Sequence, residues 1–265
     1  MRSYKMDIRT KKRHPFSHIL TTVFKVRIIK NHIKKEKTSK ILDAGCGSGF
    51  MLSQLDELYK DGYGIDMSPE AIKFGQQFTK AKLHIGNAEK LDFEDNEFDC
   101  IISTDAFEHI PDDEAAMEEA HRVLKDKGCI IIYTPSEDGL LSTTKWVDLY
   151  HQSEKSYLLD QRYYTIESLS VLAKNAGFSI EYVGYHNIFF QEFFTQLLKW
   201  VSTMMGKEYE HQAHIFDFTK SKLFPVYRWV LLPIITILVR IEEFIFENIF
   251  RGRVPGHRII MKCRK

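Results

Sequence analysis

A chain of 265 residues with 44% apolar side chains is long enough for one large α/β domain plus an appendage, and it can bury a sizeable core. Its net charge of +1 hides an asymmetry: residues 1–40 carry 13 Lys and Arg against 2 Asp and Glu, whereas residues 41–140 carry 8 against 22. The four cysteines (Cys46, Cys100, Cys129 and Cys263) lack paired metal-ligand spacing and read as small buried thiols. With no apolar leader followed by small residues, the expectation is a cytoplasmic protein rather than a secreted disulfide scaffold.

In chain order, a basic arm comes first. It reads either as a solvated lead-in or as a segment drawn to anionic lipid or nucleic acid. Phe16, Ile19, Leu20, Val23, Val26 and Ile33 recur at helical spacing, which predicts an amphipathic helix over 16–35 that could cover a ligand pocket, with Lys30, Lys34 and Lys35 toward solvent. From Lys40 short apolar runs alternate with helical segments. Strands are expected near 40–44, 62–66, 82–86, 99–104 and 128–134, with helices near 48–58, 69–79 and 113–125, a pattern of parallel strands joined by right-handed crossovers. Ser68-Pro69-Glu70 is a helix entry, with a capping serine and a proline at the first helical position.

Residues 136–162 have no clear periodicity and are rich in Ser, Thr, Tyr and His, so this long segment is assigned to the substrate side. Thr165 caps a helix to Asn175, Ser179 to Gly184 reads as a sixth strand, and His257 to Cys263 as a closing antiparallel one. Between these last two strands lies an apolar insertion, placed at 187–255. Its uncharged run from Trp229 to Val239 is shorter than the ~20 residues a bilayer span requires. It suits an interfacial helix, a cap over a greasy substrate, or a contact with its own domain or a second copy of the chain. The division expected is therefore a basic arm and helix at 1–37, a catalytic domain at 38–186 plus 256–265, and a helical insertion at 187–255.

Ile41-Leu-Asp-Ala-Gly-Cys-Gly-Ser-Gly49, followed by Gly64-Ile65-Asp66, is an apolar strand, a glycine turn, a helix start and then an acidic strand end. That is the layout of a nucleoside site. Gly45, Gly47 and Gly49 let the backbone pass under a ligand, and Asp66 can accept hydrogen bonds from both ribose hydroxyls. A dinucleotide fingerprint would need a third glycine where bulky Phe50 stands, so no pyrophosphate seat is implied. Asp43 can face a ligand's ammonium group or orient the glycine turn. His109, with a reference pKa of about 6.5, could take a proton from a hydroxyl acceptor or merely tie its loop to the next helix. Met67 reads as a contact for the base of a bound nucleoside or as core filler. His151, with Tyr150, Tyr157, Tyr163 and Tyr164, populates the presumed substrate segment as pocket lining or loop anchors.

Taken together, Asp43–Gly49, Gly64–Asp66, Gly86-Asn-Ala-Glu-Lys-Leu-Asp-Phe93, Phe98–Ile102, Phe107-Glu-His-Ile-Pro111 and Arg122–Gly128 resemble, in order, the class I S-adenosylmethionine-dependent methyltransferases, over about residues 38–185. The likeness is greatest to the group acting on small molecules, quinone precursors and lipids. The resemblance implies a doubly wound, Rossmann-like sheet of seven strands in the order 3-2-1-4-5-7-6, the last strand antiparallel. It also implies S-adenosyl-L-methionine as cofactor and no metal requirement.

Carried onto this chain, the methionine carboxylate would meet N–H groups of Gly47 to Gly49 beside Gly45 and Cys46, with Asp43 toward the ammonium and Thr104 along the methionine arm. Asn87 stands where the family usually has an aspartate on the adenine amino group, and the Ala88 N–H would meet a ring nitrogen. A segment like Arg162-Tyr163-Tyr164-Thr165 borders the acceptor pocket in related enzymes, and Phe-Glu-His also occurs in lipid cyclopropane synthases, which keeps carbon methylation in view.

The leading expectation is methyl transfer to a small-molecule or lipid-like acceptor, most simply a hydroxyl of a lipophilic or glycan-linked compound. The alternatives are an RNA methyltransferase and a non-catalytic, membrane-associated binder of the donor. Thr104-Asp105-Ala106-Phe107 lacks the Asn/Asp-Pro-Pro-aromatic motif that grips an exocyclic amine, which speaks against nucleic acid.

Overall fold

The computed structural model describes residues 20–34, 36, 38–138, 162–186, 193–194, 224–248 and 255–265. Helix α1 (Leu20–Ile33) leads into β1 (Lys40–Ala44), α2 (Phe50–Gln54), β2 (Asp61–Asp66), α3 (Pro69–Gly75), β3 (Lys82–Ile85) and β4 (Phe98–Thr104). A single 3-10 turn at Phe107–His109 precedes α4 (Asp113–Val123), β5 (Leu124–Pro135), α5 (Ile166–Asn175) and β6 (Ser179–His186). A helical turn at Phe224–Val226 and a π turn at Tyr227–Leu231 run into α6 (Leu232–Asn248), and β7 (Arg258–Arg264) closes the chain.

The seven strands form one sheet in the order β3-β2-β1-β4-β5-β7-β6. The first five strands pair in parallel, and β7 runs antiparallel to both β5 and β6. This is the doubly wound sheet expected from the resemblance. Strand alternation divides the core into two layers. Leu42, Ile101, Ile130 and Ile132 pack toward α4 and α5 through Met117, Ala120 and Leu169. On the other face Ile41, Cys100, Ile102 and Ile131 pack with Leu52 and Leu55 and with Ile28, Ile29 and Ile33 of α1. All four cysteines are buried.

The capping chemistry falls where the residues direct it. Ser68 Oγ accepts the Ala71 N–H and opens α3 with Pro69 in the first turn. Thr165 and Ser168 form a reciprocal capping box on α5. The helices over 48–58 and 69–79 are shorter than the pattern predicts. Gly49 enters α2 in the left-handed conformation and Leu55 ends it after five residues, while α3 stops at Gly75. The buried stripe of α1 also differs from expectation. Phe24, Ile28, Ile29 and Ile33 face the core, whereas Val23 and Val26 are half-buried. That stripe sets the rotation of α1: Phe24 meets Ile235 and Val239 of α6 as the others meet the sheet. Behind α1, Glu36 binds Lys262 and Arg264 of β7, which also hold Glu181 of β6, and this pulls the Glu36 carboxyl down to about 2.

Candidate functional site

In an open parallel sheet the ligand crevice lies at the carboxyl ends of the strands where the winding reverses, here between β1 and β4. The loop after β1 is tied down by its own backbone: the Gly45 and Cys46 N–H groups both donate to the Ile65 carbonyl, at 2.9 and 2.8 Å. Gly45, Gly47 and Gly49 have φ of 80°, 51° and 66°. Two of these positions show different reasons for glycine. A Cβ on Gly45 would stand 2.3 Å from Cβ of Ala106, so this glycine lets the β1 and β4 loops touch. A Cβ on Gly47 would meet only Asp66 Oδ2, at 4.0 Å, and would project into open space, which is the cradle a ligand needs.

Asp66 stands at the end of β2. Its Oδ2 accepts the Gly47 N–H at 2.7 Å and its Oδ1 accepts the Ser68 N–H at 2.9 Å. The carboxylate is thereby fixed against the glycine turn, and each oxygen keeps acceptor capacity for a ligand hydroxyl. The amides proposed for the methionine carboxylate are partly spent: Gly47 N–H serves Asp66, and Gly49 N–H donates to the Cys46 carbonyl at 2.8 Å. With α2 only five residues long, its dipole adds little.

Asp43 is 1% exposed, and its Oδ1 has no hydrogen-bond partner among the described residues. No bond from its side chain to the glycine turn is found; Asp66 does the turn-holding instead. Burial pushes the Asp43 carboxyl up from 3.8 to about 7, the nearby Lys25 ammonium pulls it back, and Asp66 adds repulsion. A buried acid with an orphaned oxygen is suited to a ligand cation.

On the β4 side, Asp105 adopts φ 50° and is held from two directions. The Lys25 ammonium of α1 pairs with its Oδ2, and Arg258 of β7 stands 3.2 Å from Oδ1. Burial raises the Asp105 carboxyl, but these cations outweigh it and leave the group below its ordinary range. Glu108 is buried, accepts a hydrogen bond from the Thr134 hydroxyl at 3.1 Å, and is pushed up to about 7 by burial and by Asp105. Thr104, the last residue of β4, is half-buried beside this group, and His109 is exposed at the end of the 3-10 turn. Sequence reasoning missed Lys25, Asp105 and Arg258. The one signal was the predicted helix over the pocket, which did not say which of its basic residues points inward.

The residues that the resemblance would put on the adenine lie in the turn after β3. Asn87 Oδ1 accepts the Glu89 N–H at 3.0 Å while Nδ2 donates to Glu89 Oε2 at 3.0 Å, so the amide is locked with its oxygen toward the backbone. A ligand amino group would share that oxygen's second lone pair. Met67 is 71% exposed, which removes the core-filler reading. Ala88 packs at the edge of the core. Tyr164 is buried, donating to Asp113 Oδ2 at 2.7 Å, while the Arg162 N–H donates to the Glu108 carbonyl at 2.8 Å. Tyr164 thus anchors its segment to the β4 loop. His151, Tyr150 and Tyr157 lie outside the described residues. Among the described residues no group of three or more His, Cys, Asp or Glu could hold a metal ion.

Residues 42–132 match the family described as a methyltransferase domain. A bifunctional biotin-biosynthesis protein (BioHC) of Saccharophagus degradans is 28% identical over 153 residues, covering 55% of this chain and 27% of that protein. A demethylmenaquinone methyltransferase of Staphylococcus carnosus is 33% identical over 135 residues, covering 48% of this chain and 56% of the relative. The chain thus spans only about a quarter to a half of the length of these curated relatives. Among solved structures, a Bacillus halodurans protein provisionally assigned as a methyltransferase superposes with a TM-score of 0.55 at 21% identity, over 91% of this chain and 98% of the other. That likeness speaks for the fold alone. Strand order, glycine turn and acidic β2 end agree with the matched region: residues 42–132 are a methyltransferase domain, set in a sheet with the strand order of the class I S-adenosylmethionine-dependent methyltransferases.

Proposed function

We propose that the protein transfers a methyl group from S-adenosyl-L-methionine to a small lipophilic acceptor, most simply at a hydroxyl. The observation that carries this reading is the crevice between β1 and β4, where the buried Asp43 keeps an unpartnered oxygen beside the open cradle of Gly47 and the fixed carboxylate of Asp66. The donor, when bound, supplies a methyl group activated on a sulfonium. Asp66 receives the ribose hydroxyls, Asn87 and the Ala88 N–H the adenine, and Asp43 the ammonium, with Cys46 at the floor of the glycine turn and Thr104 along the methionine arm. Holding acceptor, methyl and sulfur in line accounts for roughly 7–11 kcal/mol of barrier reduction where alignment is near ideal, so positioning does most of the work. His109, exposed at the rim, takes the acceptor proton.

The lipophilic acceptor is supported by the relative named as a demethylmenaquinone methyltransferase and by α6. One face of α6 and its lead-in buries Tyr227, Ile235 and Val239, while Trp229, Val230, Ile234, Ile237, Ile241 and Phe244 are exposed on the other. Arg228 lies 5.1 Å over the Trp229 ring, an arrangement suited to an interface. No helix among the described residues is long and apolar enough to cross a membrane. We therefore take 1–37 as a basic arm and helix, 38–186 with 256–265 as the transferase domain, and 187–255 as an apolar helical insertion whose helix α6 offers its exposed face to an anionic lipid surface.

The test is incubation with donor labelled in its methyl group and a crude lipid and sugar extract. Label should enter the organic phase. Donor binding without transfer to any fraction would favour a scaffold. In flotation, the protein should rise with anionic liposomes; recovery entirely in the soluble fraction would refute surface docking.

A further inference from the structure

We propose that Lys25, on the helix ahead of the matched domain, is the basic partner of the donor's carboxylate, so that α1 completes the amino-acid end of the site. The proposal rests on reading the β1–β4 crevice as the donor site. It starts from the rotation of α1. Ile28 and Ile29 are buried against the sheet, and Lys25 lies three and four residues before them, on the same side of the helix. The lysine is thereby aimed at the carboxyl ends of β1 and β4, where its ammonium reaches Asp105 Oδ2. Its side chain is only 16% exposed, so much of its water is already displaced and a ligand carboxylate would meet it at reduced desolvation cost.

Charge balance points the same way. Asp43 and Asp105 face Lys25 and Arg258, with the carboxyl groups of Asp66 and Glu108 close by. Among the described residues Asp43 Oδ1 and Asp105 Oδ1 both lack a hydrogen bond, but Asp105 is ion-paired to both cations and no ion pair is found there to Asp43. The tail of the donor is itself a zwitterion. Its ammonium on Asp43 and its carboxylate on Lys25 would add one opposite charge to each and leave the net charge of the cluster unchanged. The loop amides are poor substitutes, because Gly47 N–H is committed to Asp66 and Gly49 N–H to the Cys46 carbonyl. Asp105 acts here as a positioning residue that holds the lysine in place.

The experiment is calorimetric titration of the full chain and its Lys25→Met and Lys25→Arg variants with two ligands. One is S-adenosylhomocysteine, which carries the amino-acid tail; the other is methylthioadenosine, which lacks it. Lys25→Met should weaken the first by about tenfold or more and leave the second unchanged, while Lys25→Arg should keep most of the affinity. Unchanged or tighter binding of the homocysteine ligand overturns the proposal. So does an equal loss for both ligands, which would mean that the variant only disturbs α1. Wild-type protein that binds neither ligand would remove the donor site itself and the proposal with it, an outcome distinct from a loss confined to the variant.

Discussion

Replacing Asp43 with asparagine should stabilise the ligand-free protein and weaken it as a receptor. Burial raises this carboxyl from 3.8 to about 7, so the folded state holds its proton where the unfolded chain releases it. Stability from this group is fully present at low pH, falls as pH rises from about 4 to about 7, and is level above. At pH 8 the ionised, unpartnered group costs about 4 kcal/mol. Asp43→Asn keeps the shape and removes the charge, though its amide would still be unpaired at a cost of about 1–3 kcal/mol. A net gain of about 2 kcal/mol remains, a rise of about 4–8 °C in Tm for a chain of this size. At pH 4 the cost of the charge is nearly gone while that of the unpaired amide remains, so the variant should be about 1–2 kcal/mol less stable than wild type. The same variant loses a charge-assisted contact worth about 1.5–3 kcal/mol, so S-adenosylhomocysteine should bind roughly ten- to a hundredfold more weakly. In the wild type, affinity should drop toward tenfold per pH unit below about pH 7, and in the variant it should not. Thermal melts at pH 4 and 8, paired with calorimetry, read both effects. A ligand-free variant less stable than wild type at pH 8 would show that the carboxylate holds the glycine turn after all and would refute the reasoning.

Asp66→Ala should lower donor affinity by about tenfold or more and also loosen the β1 loop, because Gly47 and Ser68 lose their acceptors; calorimetry showing unchanged affinity would remove the ribose role. Gly45→Ala and Gly47→Ala should separate folding from binding. The first puts a Cβ 2.3 Å from Ala106 and should cost about 2–4 kcal/mol in urea unfolding, whereas the second should cost about 1 kcal/mol and act mainly on donor affinity. His109→Gln should cut kcat by about a hundredfold or more while leaving donor affinity intact; a variant with full turnover would make His109 structural.

What could be read from the residues alone was whatever depends on local pattern. Alternation of apolar residues located β1, β4 and β5; Ser68-Pro69 and Thr165 marked helix starts; and the spacing from the glycine turn to Asp66 brought that carboxylate to the turn. Each of these is decided within a few residues, by backbone stereochemistry or by side-chain period. Tertiary structure decided the rest. The amphipathic pattern of α1 permitted several rotations, and only packing of Phe24 on α6 and of Ile28 and Ile29 on the sheet turned Lys25 inward. Asp43 and Asp66 are alike as carboxylates in the sequence. Burial left one without a hydrogen bond on Oδ1, while the glycine turn engaged both oxygens of the other. Lys25, Asp105 and Arg258 are separated by 80 and 153 residues along the chain and meet only because α1, the end of β4 and the start of β7 converge at the carboxyl ends of the parallel strands. Solvation and long-range charge are properties of that convergence, and no local pattern encodes them.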